Sequence, residues 1–375
     1  MIRIVSAEEL LSDAFQERWT AFLRKCPPHD LGQTYAWNRC WWKYFESQGA
    51  SEKKLLLLAE EKDGELEAIW PLFVRRRWGV KVIHWIGQTE GMITDYMLPL
   101  VPATARETAA RSLFEFLAQE SQMWDVLDLR IPLWSGLFAT LTKVAIVHGS
   151  RTGLTWTSGI ADHCSAIALP ATFDEFLASL GSTTRHHVKQ YLRGASKAGA
   201  QFEIIRGRDV GALLPDLFRL NGERWQVFGN SVSRAFLTEV TSRVTECDSS
   251  LFLACLRLED RTVAIALCYE HANICYIHSA GVIRQSPKGF SPGTTLYSFL
   301  VRALVERHQV RLDLSPGLEE YKLRLGATTE PIFRFTLWHT RAAYKRWRSI
   351  EMSQKVKYGA VVTVRSWFRD KTVGG

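Results

Sequence analysis

The chain has 375 residues, is 46% apolar and carries a net charge of +8. That length suits about two domains, and that apolar content supports a sizeable core and excludes a disordered chain. The seven cysteines are scattered without Cys-x-x-Cys spacing, which points to reduced core thiols in a cytosolic protein rather than to disulfides or zinc. The opening stretch from Met1 has no secretory signal pattern, and no apolar run reaches the roughly 18–20 residues of a membrane-spanning helix. No metal ligand set is expected, because His186 and His187 are neighbours that point different ways on a helix.

The basic excess is local. Arg334 to Gly375 holds ten Lys/Arg and two Asp/Glu, and the remaining residues balance, 37 basic against 37 acidic. A neutral body without a recognisable binding motif excludes specific nucleic-acid binding as the leading reading. The tail, residues 340–375, interleaves basic residues with Tyr344, Trp347, Ile350, Trp367 and Phe368. That composition suits an anionic membrane surface.

In chain order, periodicity predicts a helix near Glu8–Arg24 and another over Tyr35–Ser47. A strand pair turning at Asp63-Gly64 follows, then a strand around Val82–Ile86. A helix over Thr104–Gln122, the strand Trp124–Ile131 and a short helix after Trp134 close the first half. The second half opens with the strand Ser165–Pro170 and helices at Thr172–Gly181 and Thr183–Gly199. The strand Gln201–Gly207 and helices at Asp209–Phe228 and Ser233–Cys247 come next. A three-strand meander (Ser250–Glu259, Arg261–His271, Asn273–Val282) leads to a helix from Pro292. The strand Val310–Ser315, the helix Leu318–Gly326 and the strand Glu330–His339 end the pattern.

Leu55–Ile69 lies over Leu251–Ile265 without a gap, and Val126–Pro132 resembles Arg311–Gly317. An offset this long means a duplicated domain. The expected class is α/β (α+β), two tandem domains with mixed central sheets flanked by helices. The boundaries are 1–162, 163–339 and a 340–375 tail.

Ser-Pro-Gly occurs at Ser291-Pro292-Gly293 and again at Ser315-Pro316-Gly317. Proline in a first helical turn and serine before it are start signals. The N–H groups of Gly293, Thr294 and Thr295 are then expected to face one anion, with Lys288 and Arg284 near enough to add charge. The corresponding helix of the first half is entered by Pro99–Thr108 without a glycine, so only the second half is expected to bind a donor.

Phe290–Leu304 followed by Leu312–Ala327 resembles the CelD/BcsL-type GNAT acyltransferases of bacterial envelope biosynthesis, relatives of the double-GNAT Fem-type enzymes. The pattern Asp-x-x-x-Gly-x-Glu-x-Tyr-Lys falls on Asp313, Gly317, Glu319, Tyr321 and Lys322. Thr34–Phe45, Thr94–Leu100, Trp124–Pro132 and Leu217–Trp225 add similar pieces, so the likeness spans about residues 30–340. It departs at the phosphate loop, which here reads Ser-Pro-Gly-Thr-Thr.

The resemblance implies an acyl-CoA donor, acetyl or longer, held at Ser291, Gly293, Thr294, Thr295 and Lys288. Its thioester would lie between a strand ending near Gly281 and the strand Arg311–Leu314. Tyr321 is the implied acid for the thiolate. Asp313 and His278 are base candidates, Glu319 a further catalytic candidate, and a backbone N–H near Ser279–Gly281 the oxyanion donor. Asp95, Tyr96, Arg224, Trp225 and Lys322 are acceptor-contact candidates, and the basic helix Thr183–Gly199 suits an anionic acceptor. The implied acceptor is an amine of an exopolysaccharide amino sugar or of a long-chain amino lipid, met in the cytoplasm or at the inner membrane face. A Fem-like transferase using aminoacyl-tRNA and a non-catalytic scaffold are the alternatives.

Overall fold

The computed structural model describes residues 2–353, apart from 28, 50, 90–93, 225–226, 248–249 and 286–287. The first half runs β1 (Ile2–Ile4), α1 (Ala7–Leu10), α2 (Asp13–Leu23), α3 (Tyr35–Phe45), β2 (Glu52–Lys62), β3 (Glu65–Arg77) and β4 (Val80–Trp85). It ends with α4 (Arg106–Gln119), β5 (Val126–Pro132) and α5 (Leu137–Thr152). The second half runs β6 (Thr155–Ala168), α6 (Phe173–Ser179), α7 (Ser182–Lys197), β7 (Gln201–Arg206), α8 (Asp209–Gly222) and α9 (Ser231–Cys247). The meander β8 (Leu251–Leu258), β9 (Arg261–His271) and β10 (Ile274–Val282) follows, then α10 (Pro292–Glu306), β11 (Arg311–Pro316), α11 (Glu320–Arg324) and β12 (Thr328–Trp338).

Among the described residues all strands join one twelve-stranded sheet in the order β1-β2-β3-β4-β5-β12-β6-β11-β10-β9-β8-β7. The mixed α/β class is as expected. The repeat takes physical form in two matched runs, β2–β3–β4–α4–β5 and β8–β9–β10–α10–β11, each ending in a parallel pair. β12 sits antiparallel between β5 and β6. β6 runs through residue 163, where the sequence places a domain boundary.

Four hairpins turn on two residues that both have positive φ: Asp63-Gly64, Trp78-Gly79, Glu259-Asp260 and Ala272-Asn273. That geometry matches the right-handed strand twist. Aspartate-glycine announces itself in sequence; Glu259-Asp260 does not. The expected helix Glu8–Arg24 breaks in two because Ser12 caps a new start, its Oγ accepting the Phe15 N–H. β1, Ile-Arg-Ile, is too short for its alternation to stand out and is held against β2 with Arg3 bridging Glu9 and Glu61. β6 is longer than expected because its first half is exposed and carries no apolar alternation.

One apolar cluster, built on α1–α3, α8 and α9, crosses both halves on one face of the sheet. On the other face α4 and α5 cover the first half, and α6, α7 and α10 the second. Six tryptophans, Trp19, Trp37, Trp41, Trp70, Trp85 and Trp124, are fully buried, which accounts for much of the high tryptophan content.

Residues 341–353 are helical. Tyr344, Trp347 and Ile350 pack on Val80, Val82, Val126 and Trp338, and Glu351 pairs with Arg334. The sequence reading offered these three apolar residues to a membrane; they belong instead to the body, leaving an exposed basic face outside. Trp367 and Phe368 lie outside the described residues.

His29 links the halves. Its ring lies 3.7 Å from that of His271, and its Nε2 is 3.2 Å from the Tyr269 hydroxyl. Burial, with His271 beside it, holds the imidazole down to about 3. The unfolded chain therefore binds this proton first, from its ordinary value near 6.5 downward. Stability is lost as pH falls from about 6.5 toward 3, by about 2 kcal/mol at pH 5 from this group. Urea unfolding at pH 7 and pH 5 should show that loss, and His29→Gln should make the decline shallower.

Candidate active site

β10 and β11 pair in parallel only from Ile274–Tyr276 to Arg311–Asp313. Beyond that both strands turn away. β10 is bulged against β9, Ile277 facing Cys268 and Ser279 facing Leu267, so His278 is the extra residue. A bulge of this kind bends the strand and re-aims a side chain. β11 shifts register against β6 between Asp313 and Pro316, and Ser315 takes a φ of 64°. The outcome is an open wedge where the sequence placed the thioester.

At one end of the wedge is a cavity of about 180 Å³, lined by Ala280–Val282, Ser291–Thr294, Leu296, Tyr297, Tyr321 and Arg224. The first turn of α10 opens on it. Pro292 has no N–H, and those of Gly293 and Thr294 have no acceptor among the described residues. Thr295 differs from expectation: its N–H donates to the Ser291 carbonyl at 2.9 Å and its side chain is fully buried. Ser291 takes the cap position without a side-chain cap bond. Lys288 is exposed outside the cavity lining, and Arg284 is drawn to the end of α8 by Glu223. Arg224, expected on the acceptor side, stands at this cavity instead, and Trp225 lies outside the described residues. α7 braces the loop, since Gly194 approaches Gly289 so closely that a Cβ there would lie 2.3 Å from its carbonyl oxygen.

Past the wedge, a polar chain joins the two halves. His278 Nδ1 lies 3.5 Å from Asp95 Oδ2. The Nε2 of His278 is buried without a hydrogen-bond partner among the described residues. Trp37 stands edge-on to the imidazole at 4.8 Å and donates its indole N–H to Thr94. The Ser315 hydroxyl lies within hydrogen-bond reach of both Asp95 and the Ile277 carbonyl and has one proton to donate to either. Asp313, 1% exposed, accepts from the Tyr96 hydroxyl at 2.6 Å and from the Ser315 N–H at 3.0 Å, with Arg311 beside it. Burial raises the Asp313 carboxyl above its ordinary range, against the pull of Tyr96 and Arg311. Asp30 is also raised, by burial and then by Asp95.

The structure thus brings His278, Asp95, Asp313 and Tyr96 together, and Tyr96 is a buried support for Asp313 rather than an exposed contact. Sequence reading missed Ser315, Asp30, Trp37 and Asn221. Asn221 donates to the Ala280 carbonyl at 2.9 Å and so holds β10 beyond its bulge.

Tyr321 faces the donor cavity, stacked on Tyr297 with ring centres 5.7 Å apart. Burial keeps its phenol above the ordinary value; a Tyr297 hydrogen bond offsets this and the Glu319 charge adds to it. Glu319 and Lys322 sit elsewhere. Lys322 is 2% exposed, donates to the carbonyls of Ser315 and Pro316, and pairs with Glu319 at 2.9 Å. It fixes the second Ser-Pro-Gly turn and is not open to a substrate. Lys322→Met should cost roughly 2–4 kcal/mol in urea unfolding, because buried carbonyls lose their donor.

The matching strands of the first half are bridged by side chains. β4 and β5 pair only at Val82–Val126 and Ile83–Leu127. Gln88 then donates to the Asp128 carbonyl and accepts from the Arg130 N–H, His84 lies 3.1 Å from the same carbonyl, and Trp85 donates to the Arg130 carbonyl. Side chains replace the missing ladder, and Gln88, Arg130 and Pro132 also line a small cavity of about 140 Å³ that reaches Asp95 and Pro316.

These features, a parallel pair splayed at a bulge beside a helix start, mark a GNAT transferase domain. Residues 182–323 match the model of the acetyltransferase (GNAT) domain. The chain carries that domain and is a transferase of that type. No curated protein matches it in sequence. Among solved structures it resembles FemX, at 12% identity over 90% of this chain and 96% of that one, with a TM-score of 0.59. It resembles L-PGS from Bacillus licheniformis at 11% identity, covering 87% and 92% of the two chains, with a TM-score of 0.53. A third is the C-terminal DUF2156 domain of a proposed lysylphosphatidylglycerol synthetase from Agrobacterium fabrum, at 13% identity, 92% and 96% coverage and a TM-score of 0.53. At these identities the likeness is one of fold.

Proposed function

We propose that the chain transfers an acyl group from acyl-CoA to an amine of a cell-envelope precursor. The observation that carries this reading is the meeting of the α10 N-terminus, the open wedge and Tyr321 on one cavity. Gly293 and Thr294 would hold the donor's pyrophosphate with the helix dipole behind them, and Arg224 would add charge at the rim. The thioester would enter the wedge, its carbonyl oxygen facing backbone N–H groups of Ser279–Gly281.

His278 would take the acceptor's proton on Nε2 while Asp95 orients the ring through Nδ1. The amine nitrogen attacks the thioester carbon, the C–N bond forms and the C–S bond breaks. The thiolate leaves as a thiol with the proton of Tyr321, whose raised value keeps that proton in place at neutral pH. The phenol then regains a proton from solvent, and His278 releases the one it took to solvent.

CoA should raise the melting temperature of the purified chain, and labelled acyl-CoA should mark an amine acceptor. A chain that neither binds CoA nor is stabilised by it would leave this reading without a donor, and aminoacyl-tRNA would become the donor to test.

A further inference from the structure

A larger cavity, about 360 Å³, lies between the halves with Tyr276 and Asp313 in its wall. That size is within the roughly 300–1,000 Å³ of ligand sites. Its walls are mainly apolar, formed by Leu23, Trp70, Leu98, Leu100, Trp134 and Leu137. Most of its polar lining is already committed. Arg311 pairs with Asp313 and Glu330. Gln33 bonds the Asp30 N–H and the Tyr96 carbonyl, His29 meets Tyr269, and Ser135 donates to the Pro132 carbonyl.

The Tyr276 hydroxyl and His29 Nδ1 have no hydrogen-bond partner among the described residues, and Arg106 is the charged group left open. Its guanidinium, half-buried in the cavity wall, has no hydrogen-bond or ion-pair partner among the described residues. Its Nη1 lies 2.9 Å from where a Cβ on Gly136 would stand, so the charge is set against the start of α5. The helix dipole there adds positive potential. An apolar chamber with one open cation fits an apolar molecule with one anionic end. A sugar would leave its hydroxyls facing Leu and Trp side chains, unpaired.

We propose that this chamber holds the acceptor, an amine with an apolar body and a single carboxylate or phosphate that pairs with Arg106. The proposal rests on the acyltransferase reading, because Asp313 in the chamber wall is linked through Ser315 and Asp95 to His278. It narrows the two acceptor classes left open by the sequence to the lipid-like one.

The test is calorimetric binding of octyl phosphate, octanoate and octanol to the full chain, with CoA binding measured on the same samples. The anionic probes should bind at least tenfold more tightly than octanol. Arg106→Gln should reduce them to the level of octanol, Arg106→Lys should retain most of the difference, and CoA affinity should not change in either variant. Preference for octyl phosphate alone assigns a phosphate end, and preference for octanoate alone a carboxylate end. Equal binding of octanol, or an Arg106→Gln variant that keeps the anionic preference, overturns the proposal while leaving the donor reading intact. Absence of CoA binding in the wild type sinks the donor reading and leaves the chamber's specificity to stand by itself.

Discussion

His278→Asn is expected to lower kcat by about 10²–10⁴, the range a positioned general base contributes, with CoA affinity unchanged. The imidazole is the extra residue of the β10 bulge, so its direction is set by the backbone and not only by its rotamer. Asp95 holds Nδ1 and Trp37 fixes the ring plane, leaving Nε2 as the free nitrogen. Asparagine fills similar space and can still reach Asp95, so the fold should survive. Single-turnover rates with saturating acyl-CoA are the measurement. Because Asp95 touches no reacting atom in this scheme, Asp95→Asn should reduce kcat less than His278→Asn and alter the pH–rate profile. A kcat within threefold of wild type for His278→Asn would remove it as the base and leave Asp313, which is buried and already engaged by Tyr96, Ser315 and Arg311.

Gly293→Asp is expected to abolish CoA binding, a loss of at least about 100-fold. A Cβ at Gly293 meets nothing nearer than Val282 Cγ2 at 3.8 Å, so the chain should tolerate the side chain itself. The effect comes from charge: a carboxylate would occupy the spot where two free N–H groups and the positive end of a fifteen-residue helix favour an anion. Gly293→Ala separates sterics from charge and should fold normally with a smaller loss. Calorimetric titration of CoA against both variants gives the comparison. Normal affinity in Gly293→Asp would mean that the donor's phosphates lie elsewhere.

Much of the second half was legible because strand, proline-capped helix and strand follow one another within a short span. Their parallel pairing and the wedge beyond it come from local chain direction. The count of free N–H groups was less secure: three were expected, but the helix closes its first hydrogen bond at Thr295. Ser315 read as a turn residue, yet its hydroxyl bonds Asp95, 220 positions away. No periodicity carries information over that distance. Lys322 looked like a ligand because a lysine in a motif is assumed to be exposed; three successive carbonyls of a turn with positive φ at Ser315 and Gly317 gave it a buried place instead. The first half was read as having lost its donor turn. The structure adds a separate reason, the bridging of its strands by Gln88 and His84 at the Asp128 carbonyl, which no glycine pattern would have revealed.

The position of β12 also bears on assembly. β5 is made early and pairs with β4, yet its other sheet neighbour is the last of the described strands to be synthesised. Until residues 328–338 emerge, β5 and β6 each present a bare edge, open to pairing with other chains. The first half therefore completes its sheet only once β12 is made. An isolated second half would carry β12 with one flank unpaired, so the two copies of the duplicated unit are bound to a single folding event that their last shared strand completes.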